Sequence, residues 1–149
     1  MPGKLFHGVY AVDYGQGFKD YLNNYDDLVN VFTMYECKDK YRLGGRGDGG
    51  YVLMENDGYD VLLSGGVGGS INFEKEFVKK YNTQCFCFDG TEDSGFELTK
   101  NEPNITYEKK NVGTKNNKNL TNFDFAFKKY NNIFMKLDIE GSEFDLFNS

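Results

Sequence analysis

Apolar residues in the first third of the chain recur with the spacing of a helix. From Phe18 to Tyr35 they stand mostly three or four positions apart, and Asp and Asn fill many of the positions between them. This spacing collects the apolar side chains on one face of a helix and the polar ones on the other. We therefore predict an amphipathic helix within an N-terminal segment, residues 1–40.

The rest of the chain, residues 41–149, alternates short apolar runs with glycine-rich turns. A glycine-rich turn divides Tyr41–Met54 into two apolar runs, which predicts a β-hairpin or a tight reversal. Four later runs predict strands at Tyr59–Ser64, Gln84–Phe88, Ile105–Lys110 and Asn132–Glu140. Helical spacing predicts one helix that is capped by Ser70 or Asn72 and ends at Tyr81, and short helices at Phe123–Tyr130 and Glu143–Phe147. Residues 92–104 and 111–122 are polar and are predicted to be turns and loops.

The order of these elements predicts an α/β fold. Strands that alternate with helical segments form mostly parallel sheets, and we expect about four core strands joined by right-handed crossovers. Ligands of such sheets bind at the carboxyl ends of the strands, where the strand order reverses. The segments that directly follow the predicted strands are therefore the first candidates for a functional site.

Composition narrows the class of protein. The chain has 149 residues, 39% of them hydrophobic, which is enough for one domain with its own core. A net charge of −6 disfavours nucleic acid as a partner, because binding to phosphates needs a basic surface. The chain has no apolar run of roughly 18 residues and no visible secretory signal, so we expect no membrane span and an intracellular, cytoplasmic location.

Few residues are suited to soft-metal or nucleophilic chemistry. His7 is the single histidine, which argues against a His-paired nucleophile and against a zinc site. Three cysteines without a secretory signal do not predict a disulfide framework. Cys85 and Cys87 stand two apart in a predicted strand, so we expect both on one face as small buried residues.

The strongest local signal is the turn SGGVGGS at Ser64–Ser70. Glycines let the backbone reverse and let a ligand approach it closely. The dinucleotide pattern G-x-G-x-x-G fails because Ile71 stands where its third glycine would be, and the Gly-Lys-Ser/Thr of a phosphate loop is absent. The remaining G-x-G, at Gly66 and Gly68, fits either a ligand-binding turn or a purely structural one.

Asp89 strengthens the ligand-binding interpretation of this turn. It follows the second strand of the predicted sheet, about 20 positions after Gly66, where an acidic residue holds a ribose hydroxyl in nucleotide-binding folds. By itself an Asp before Gly90 also predicts an Asx-turn. Together with the glycine-rich turn it favours an adenosine-binding site.

The last predicted strand carries charge at its carboxyl end. A period of two places Ile133, Met135, Leu137 and Ile139 on one face and Phe134, Lys136, Asp138 and Glu140 on the other. Central parallel strands are apolar on both faces, so these charges are costly unless they are paired or used. Lys136 and Asp138 could pair with each other, or they could face a ligand cleft.

Four segments, in this order along the chain, resemble FkbM-type methyltransferases, a branch of the class I S-adenosylmethionine-dependent enzymes. The segments are Arg42–Val52, Leu62–Glu74, Phe88–Thr91 and Met135–Glu143. The last is the most specific, because family members carry a D-x-E-G-x-E core there. Asp138, Glu140, Gly141 and Glu143 match that core.

The resemblance implies a Rossmann-like sheet that binds S-adenosylmethionine. Gly66 and Gly68 would lie under the cofactor, Asp89 would hold its ribose hydroxyls and Glu74 would border it. Asp138 and Glu140 would line the cleft of methyl transfer, and together with Lys136 they are candidates for removing the proton of the acceptor. Family members typically methylate a hydroxyl on a sugar or a glycosylated product, so the resemblance implies a carbohydrate or small-molecule acceptor.

The chain departs from the family pattern at two positions and at its end. Many class I enzymes have an acidic residue in place of Ser64, which would lie at the amino-acid end of the cofactor, and a glycine in place of Ser70. The family fold continues with further strands after the last segment, so the resemblance implies a C-terminally truncated domain, residues 41–149.

The missing strands of a truncated domain leave a second function open. A sheet without its last strands has an open edge, which a protein partner or a second copy in a homo-oligomer would cover. The alternative function is therefore a non-catalytic interaction or structural protein that retains part of a methyltransferase fold.

Two carboxylates without histidine would also suit a divalent metal such as Mg²⁺, for which we assign no ligands.

Overall fold

The computed structural model describes residues 39–47 and 49–147. The helix predicted between Phe18 and Tyr35, and Cys37, lie outside these residues. The strands of the described part are β1 Lys40–Leu43, β2 Tyr51–Met54, β3 Val61–Gly65, β4 Gln84–Phe88, β5 Ile105–Glu108, β6 Asn111–Val112, β7 Leu120–Thr121 and β8 Ile133–Leu137. Its helices are α1 Asn72–Tyr81, α2 Gly95–Thr99, α3 Asp124–Phe127 and α4 Glu143–Phe147.

Four of these strands form a parallel sheet in the order β5-β4-β3-β8. The chain moves outward from β3 through β4 to β5 and then returns to the other side of β3, where β8 pairs with it. The strand order therefore reverses between β3 and β8. This arrangement confirms the predicted α/β class with four parallel strands, and it is compatible with a Rossmann-like sheet.

Strand β3 is buried along its whole length and separates two apolar clusters. Helix α1 packs on one face of the sheet, where Phe77 and Phe134 lie with ring centroids 4.9 Å apart. Helix α3 packs on the other, around Phe123. The alternation predicted for β8 is confirmed, because Phe134 joins the first cluster while Ile133, Met135, Leu137 and Ile139 join the second.

The predicted hairpin is confirmed as the antiparallel pair β1–β2. Its turn is tied to helix α1, since the backbone N–H of Gly44 donates to the Glu76 carboxylate at 2.8 Å. The Arg42 guanidinium donates to the carbonyls of Gly45 and Gly47 and so braces the turn from within. The hairpin is thereby held beside the first turns of α1.

Cys85 and Cys87 are buried on the α1 face of β4, as predicted, with their Sγ atoms 3.5 Å apart. Both are free thiols, and burial raises the pKa of Cys85 well above its usual value. These thiols are therefore core residues rather than reactive ones.

Local details differ from the sequence predictions where tertiary contacts decide them. The N-cap position of α1 is Ile71, whose side chain is buried in the α1-face core, so neither Ser70 nor Asn72 is the N-cap residue, although the Ser70 hydroxyl accepts from the Asn72 N–H at 3.4 Å. Residues 92–104 include α2, and residues 111–122 include the short parallel pair β6–β7, whose Val112 packs against the core. No helix within the described residues is long and apolar enough to cross a membrane.

Candidate functional site

A cleft of about 470 Å³ opens at the carboxyl ends of β3 and β8, where the strand order reverses. This volume is in the range of small-molecule sites. The cleft lies between the glycine-rich turn, the end of β4, the segment after β8 and the hairpin. Of the predicted site residues, those that line it are Gly66, Gly68, Glu74, Asp89, Lys136, Asp138 and Glu140. Ser64 lies behind the lining and is fully buried.

Gly66 and Gly68 of the turn require glycine for different structural reasons. Gly66 has φ +74°, and a Cβ there would lie 1.9 Å from the carbonyl oxygen of Asp138. Gly68 has φ +55°, but a Cβ there would meet no atom within 4 Å. Gly66 therefore lets the turn pack against the segment after β8, whereas Gly68 serves the backbone conformation and leaves open space beside it.

Backbone hydrogen bonds join the turn to both neighbouring strands. The N–H of Gly66 donates to the Phe88 carbonyl at 2.9 Å, at the end of β4. The N–H of Asp138 donates to the Gly65 carbonyl at 3.0 Å. The floor of the cleft is therefore fixed on the β4 side and on the β8 side.

Asp89 uses one carboxylate oxygen to form its own loop and the other to hold the glycine-rich turn. Oδ1 accepts from the Thr91 N–H at 2.9 Å, which is the predicted Asx-turn, and also from the Thr91 hydroxyl and the Glu92 N–H. Oδ2 accepts from the Gly68 N–H at 3.1 Å. Oδ1 thus accepts three hydrogen bonds and Oδ2 only one, so Oδ2 is the oxygen that can accept from a further donor.

The electrostatics of Asp89 suit it to accept hydrogen bonds at neutral pH. Partial burial raises its pKa, but the hydrogen bonds from Thr91, Gly68 and Glu92 outweigh this effect and hold the pKa below its usual value. The side chain is therefore an ionised acceptor beside the turn.

Tyr107, which the sequence analysis did not single out, holds the loop after β4. Its hydroxyl lies 2.7 Å from the Asp89 carbonyl and 2.6 Å from the Glu92 carbonyl, so one proton is shared between two acceptors. Burial and the negative charges of Asp89, Glu92 and Asp93 raise the pKa of Tyr107 to about 12. No sequence signal marks this residue, because its role depends on the pairing of β4 with β5.

A buried polar network lies under the cleft. The Ser64 hydroxyl donates to Oε1 of Glu74 at 2.6 Å, and Nζ of Lys136 lies 3.4 Å from the same oxygen. Nζ also donates to the Gly66 carbonyl at 3.0 Å. Ser64 and Lys136 face each other in the register of β3 and β8. The interpretation that Lys136 pairs with Asp138 is therefore wrong, because Glu74 is the ion-pair partner.

The remaining acids stand at the mouth of the cleft. Asp138 is exposed, and its carboxylate accepts from the Tyr51 hydroxyl at 3.3 Å. Glu140 is also exposed and has a left-handed backbone, φ 55°. Glu143 instead holds the segment together, since its carboxylate accepts from the N–H groups of Ile139 and Gly141 at 2.8 Å, which lowers its pKa.

The hairpin supplies a wall of the cleft through Tyr51, which sequence reasoning did not name as a site residue. Its ring packs edge-on against Phe73 with centroids 5.2 Å apart, and Nζ of Lys136 lies 5.5 Å from its centre. The one signal that could have found it is its place in the first of the four family-like segments.

The charged lining of the cleft is mainly acidic. Glu74, Asp89, Asp138 and Glu140 face one lysine, Lys136, which is already paired with Glu74. Such a lining favours neutral or cationic ligands over polyphosphates. Within residues 39–47 and 49–147 no group of three or more His, Cys, Asp and Glu is arranged to hold a metal, so the divalent metal has no assigned site.

No protein-family model, curated protein or solved structure matches the chain. The family resemblance therefore rests on the four sequence segments alone.

Proposed function

We propose that this domain binds S-adenosylmethionine and transfers its methyl group to an acceptor hydroxyl, on a sugar or another small molecule. One observation carries the proposal. The glycine-rich turn and the open acceptor position of Asp89 lie side by side in a cleft at the point where the strand order reverses. Cofactors of open α/β sheets bind at this point.

The residues present fit an adenosine cofactor without phosphates. Asp89 offers an ionised acceptor for a ribose hydroxyl, and the space beside Gly68 lets a ligand approach the backbone. The one cation in the lining, Lys136, is held by Glu74 and Gly66, which leaves no free lysine or arginine in the described lining for a diphosphate. This charge pattern supports S-adenosylmethionine over a dinucleotide or a nucleoside triphosphate.

When bound, the cofactor supplies a methyl group on a positively charged sulfur, and the protein must bring an acceptor oxygen into line with it. Asp138 and Glu140 are the exposed carboxylates at the mouth of the cleft, so they are the groups available to take a proton from an acceptor hydroxyl. The Tyr51 hydroxyl orients Asp138 for this role.

Isothermal titration with S-adenosylhomocysteine tests the proposal, with ATP and NAD⁺ as competing ligands. We expect S-adenosylhomocysteine to bind and ATP and NAD⁺ not to bind. At a ligand concentration of about 100 times Kd, the free energy of unfolding, measured by thermal denaturation, should rise by about 2.7 kcal/mol. The variant Asp89→Asn should bind at least about tenfold more weakly, because it loses the charged acceptor. The exposed Lys100→Met, whose side chain pairs with Glu97 away from the cleft lining, is the matched control.

Absence of any signal with S-adenosylhomocysteine, or equal affinity of the wild type and Asp89→Asn, would contradict the proposal. Preference for ATP would assign the cleft to a different class of nucleotide.

A second candidate function, a non-catalytic interaction protein, is favoured by the β8 side of the sheet. Within the described residues β8 pairs with β3 on one side only. Helix α4, which follows β8 along the chain, leaves Phe144 and Phe147 75% and 66% exposed. Sedimentation of the purified chain tests this candidate. A concentration-dependent dimer that Phe144→Ser weakens would support it, and a monomer at all concentrations would count against it.

A further inference from the structure

We propose that Lys136 is a positioning residue that fixes the glycine-rich turn, and not the base of a reaction. In the proposed function this turn is the backbone that binds the cofactor, and Lys136 would hold it in place. It reverses the role that the family-like segment suggests for this lysine.

Nζ of Lys136 makes one hydrogen bond and one ion pair, both to oxygen atoms. The Gly66 carbonyl at 3.0 Å and the Glu74 carboxylate at 3.4 Å are both acceptors. Lys136 must therefore present protons to both, which is the role of a donor. A base would need an unshared electron pair that faces the acceptor molecule.

Lys136 is buried together with its ion-pair partner. The side chain of Lys136 is 9% exposed and that of Glu74 is 1% exposed, and Ser64 behind them is fully buried. A charge in such a place is retained only when it is paired and hydrogen-bonded. Exposed Asp138 and Glu140 have no such constraint and are the groups open to an acceptor.

The buried polar network connects three separate elements and the glycine-rich turn. Ser64 is on β3, Glu74 is on α1 and Lys136 is on β8, and Gly66 is the first residue after β3. Lys136 thus fastens the turn carbonyl to the strand that closes the sheet on that side. Next to this bond the Asp138 N–H, directly after β8, donates to the Gly65 carbonyl at 3.0 Å, so the start of the turn is bonded to this segment at two adjacent points.

Hydrogen–deuterium exchange of the Gly66 and Gly68 amides in the full chain tests the inference. Both amides are hydrogen-bonded, to Phe88 and to Asp89, so their protection reports whether the turn keeps its shape. In Lys136→Met we expect exchange about tenfold to a hundredfold faster, the usual effect of losing one hydrogen bond to a charged group. Affinity for S-adenosylhomocysteine should fall by a similar factor.

Two variants separate positioning from other roles. Lys136→Arg should recover most of the protection and of the affinity, because arginine donates like lysine but cannot lose its proton. Lys75→Met is the matched control, since Lys75 lies on α1, outside the cleft lining, and pairs with Glu102 at 2.8 Å near the surface. It should leave turn exchange and ligand affinity unchanged.

If Lys136→Met does not fold, the double variant Glu74→Gln/Lys136→Met removes both buried charges and decides the question. It should still show fast turn exchange, since the Gly66 carbonyl lacks its donor. Exchange within about twofold of the wild type in the folded single or double variant would overturn the inference. Failure of a folded Lys136→Arg to recover any protection would do so as well.

The exchange measurement needs no ligand, so it separates the two proposals. If the wild type does not bind S-adenosylhomocysteine, the proposed function is wrong, while the exchange rates still decide the role of Lys136.

Discussion

Replacing Gly66 with alanine tests the central feature of the site, the close approach of the turn to the segment after β8. The new Cβ would lie 1.9 Å from the Asp138 carbonyl oxygen. That carbonyl cannot easily move, because the N–H of the same residue is bonded to Gly65 at 3.0 Å. The substitution also forces alanine to a φ of +74°.

Two costs add to give the expected loss of stability. A left-handed conformation costs an L-residue about 1–2 kcal/mol. Forcing an extra carbon into packed backbone costs about 1–3 kcal/mol. The free energy of unfolding should therefore fall by about 2–5 kcal/mol, a large part of the roughly 5–15 kcal/mol that holds a domain folded.

Gly68→Ala is the matched control, because position 68 has a similar φ of +55° and no atom within 4 Å of its Cβ. It should lose only the conformational part, about 1–2 kcal/mol. In urea, with a slope of about 2 kcal/mol per molar, the midpoint should fall by roughly 1–2.5 M for Gly66→Ala and by roughly 0.5–1 M for Gly68→Ala.

Gly68→Ala should also weaken ligand binding. Gly68 lines the cleft, so its added methyl group occupies space that a ligand would use. Equal urea midpoints for the two alanine variants would refute the reasoning, since the close contact at Gly66 would then have no energetic consequence.

Two further predictions concern the loop after β4. Because the pKa of Asp89 is held below its usual 3.8, its contribution to stability is present above that pH and is lost as the pH falls through the lower folded value. The difference in unfolding free energy between the wild type and Asp89→Asn should therefore shrink in acid, and a constant difference down to the lowest pH that still allows folding would contradict this. Tyr107→Phe should cost about 1 kcal/mol, measured by urea unfolding, through loss of the shared hydrogen bond to the Asp89 and Glu92 carbonyls. Because the pKa of Tyr107 is raised from 10.0 to about 12, its contribution is full below pH 10 and is lost as the pH rises towards 12. The unfolding free energies of the wild type and Tyr107→Phe should therefore converge as the pH rises from 10 to 12. A difference that stays constant over this range would contradict the raised pKa of Tyr107.

Much of the site could be located from sequence because the relevant signals are local. The turn SGGVGGS, the acid after β4 and the charged end of β8 each follow a strand, and parallel strands bring their carboxyl ends to one edge of the sheet. Sequence reasoning could not choose between the alternatives at Asp89, where both a local Asx-turn and a contact to the glycine-rich turn occur. A carboxylate has enough acceptor positions for both roles.

The partner of Lys136 and the role of Tyr107 depended on contacts between distant segments. Local spacing suggested Asp138, two residues away on the same strand face, but the lysine pairs with Glu74 of α1, the helix that packs on that face of the sheet. Tyr107 reaches the loop after β4 only because β5 is paired beside that strand. No periodic pattern within one element carries such information.

The sequence alone determined which face of each strand is buried and where the chain turns, because these depend on the period of the side chains and on the backbone freedom of a few residues. It did so for β8, whose alternating residues divide between the two apolar clusters, and for the β1–β2 hairpin. Only the tertiary structure decided which charges meet. Ser64, Glu74 and Lys136 come from three separate elements, and the order of strands in the sheet brings them within hydrogen-bonding distance.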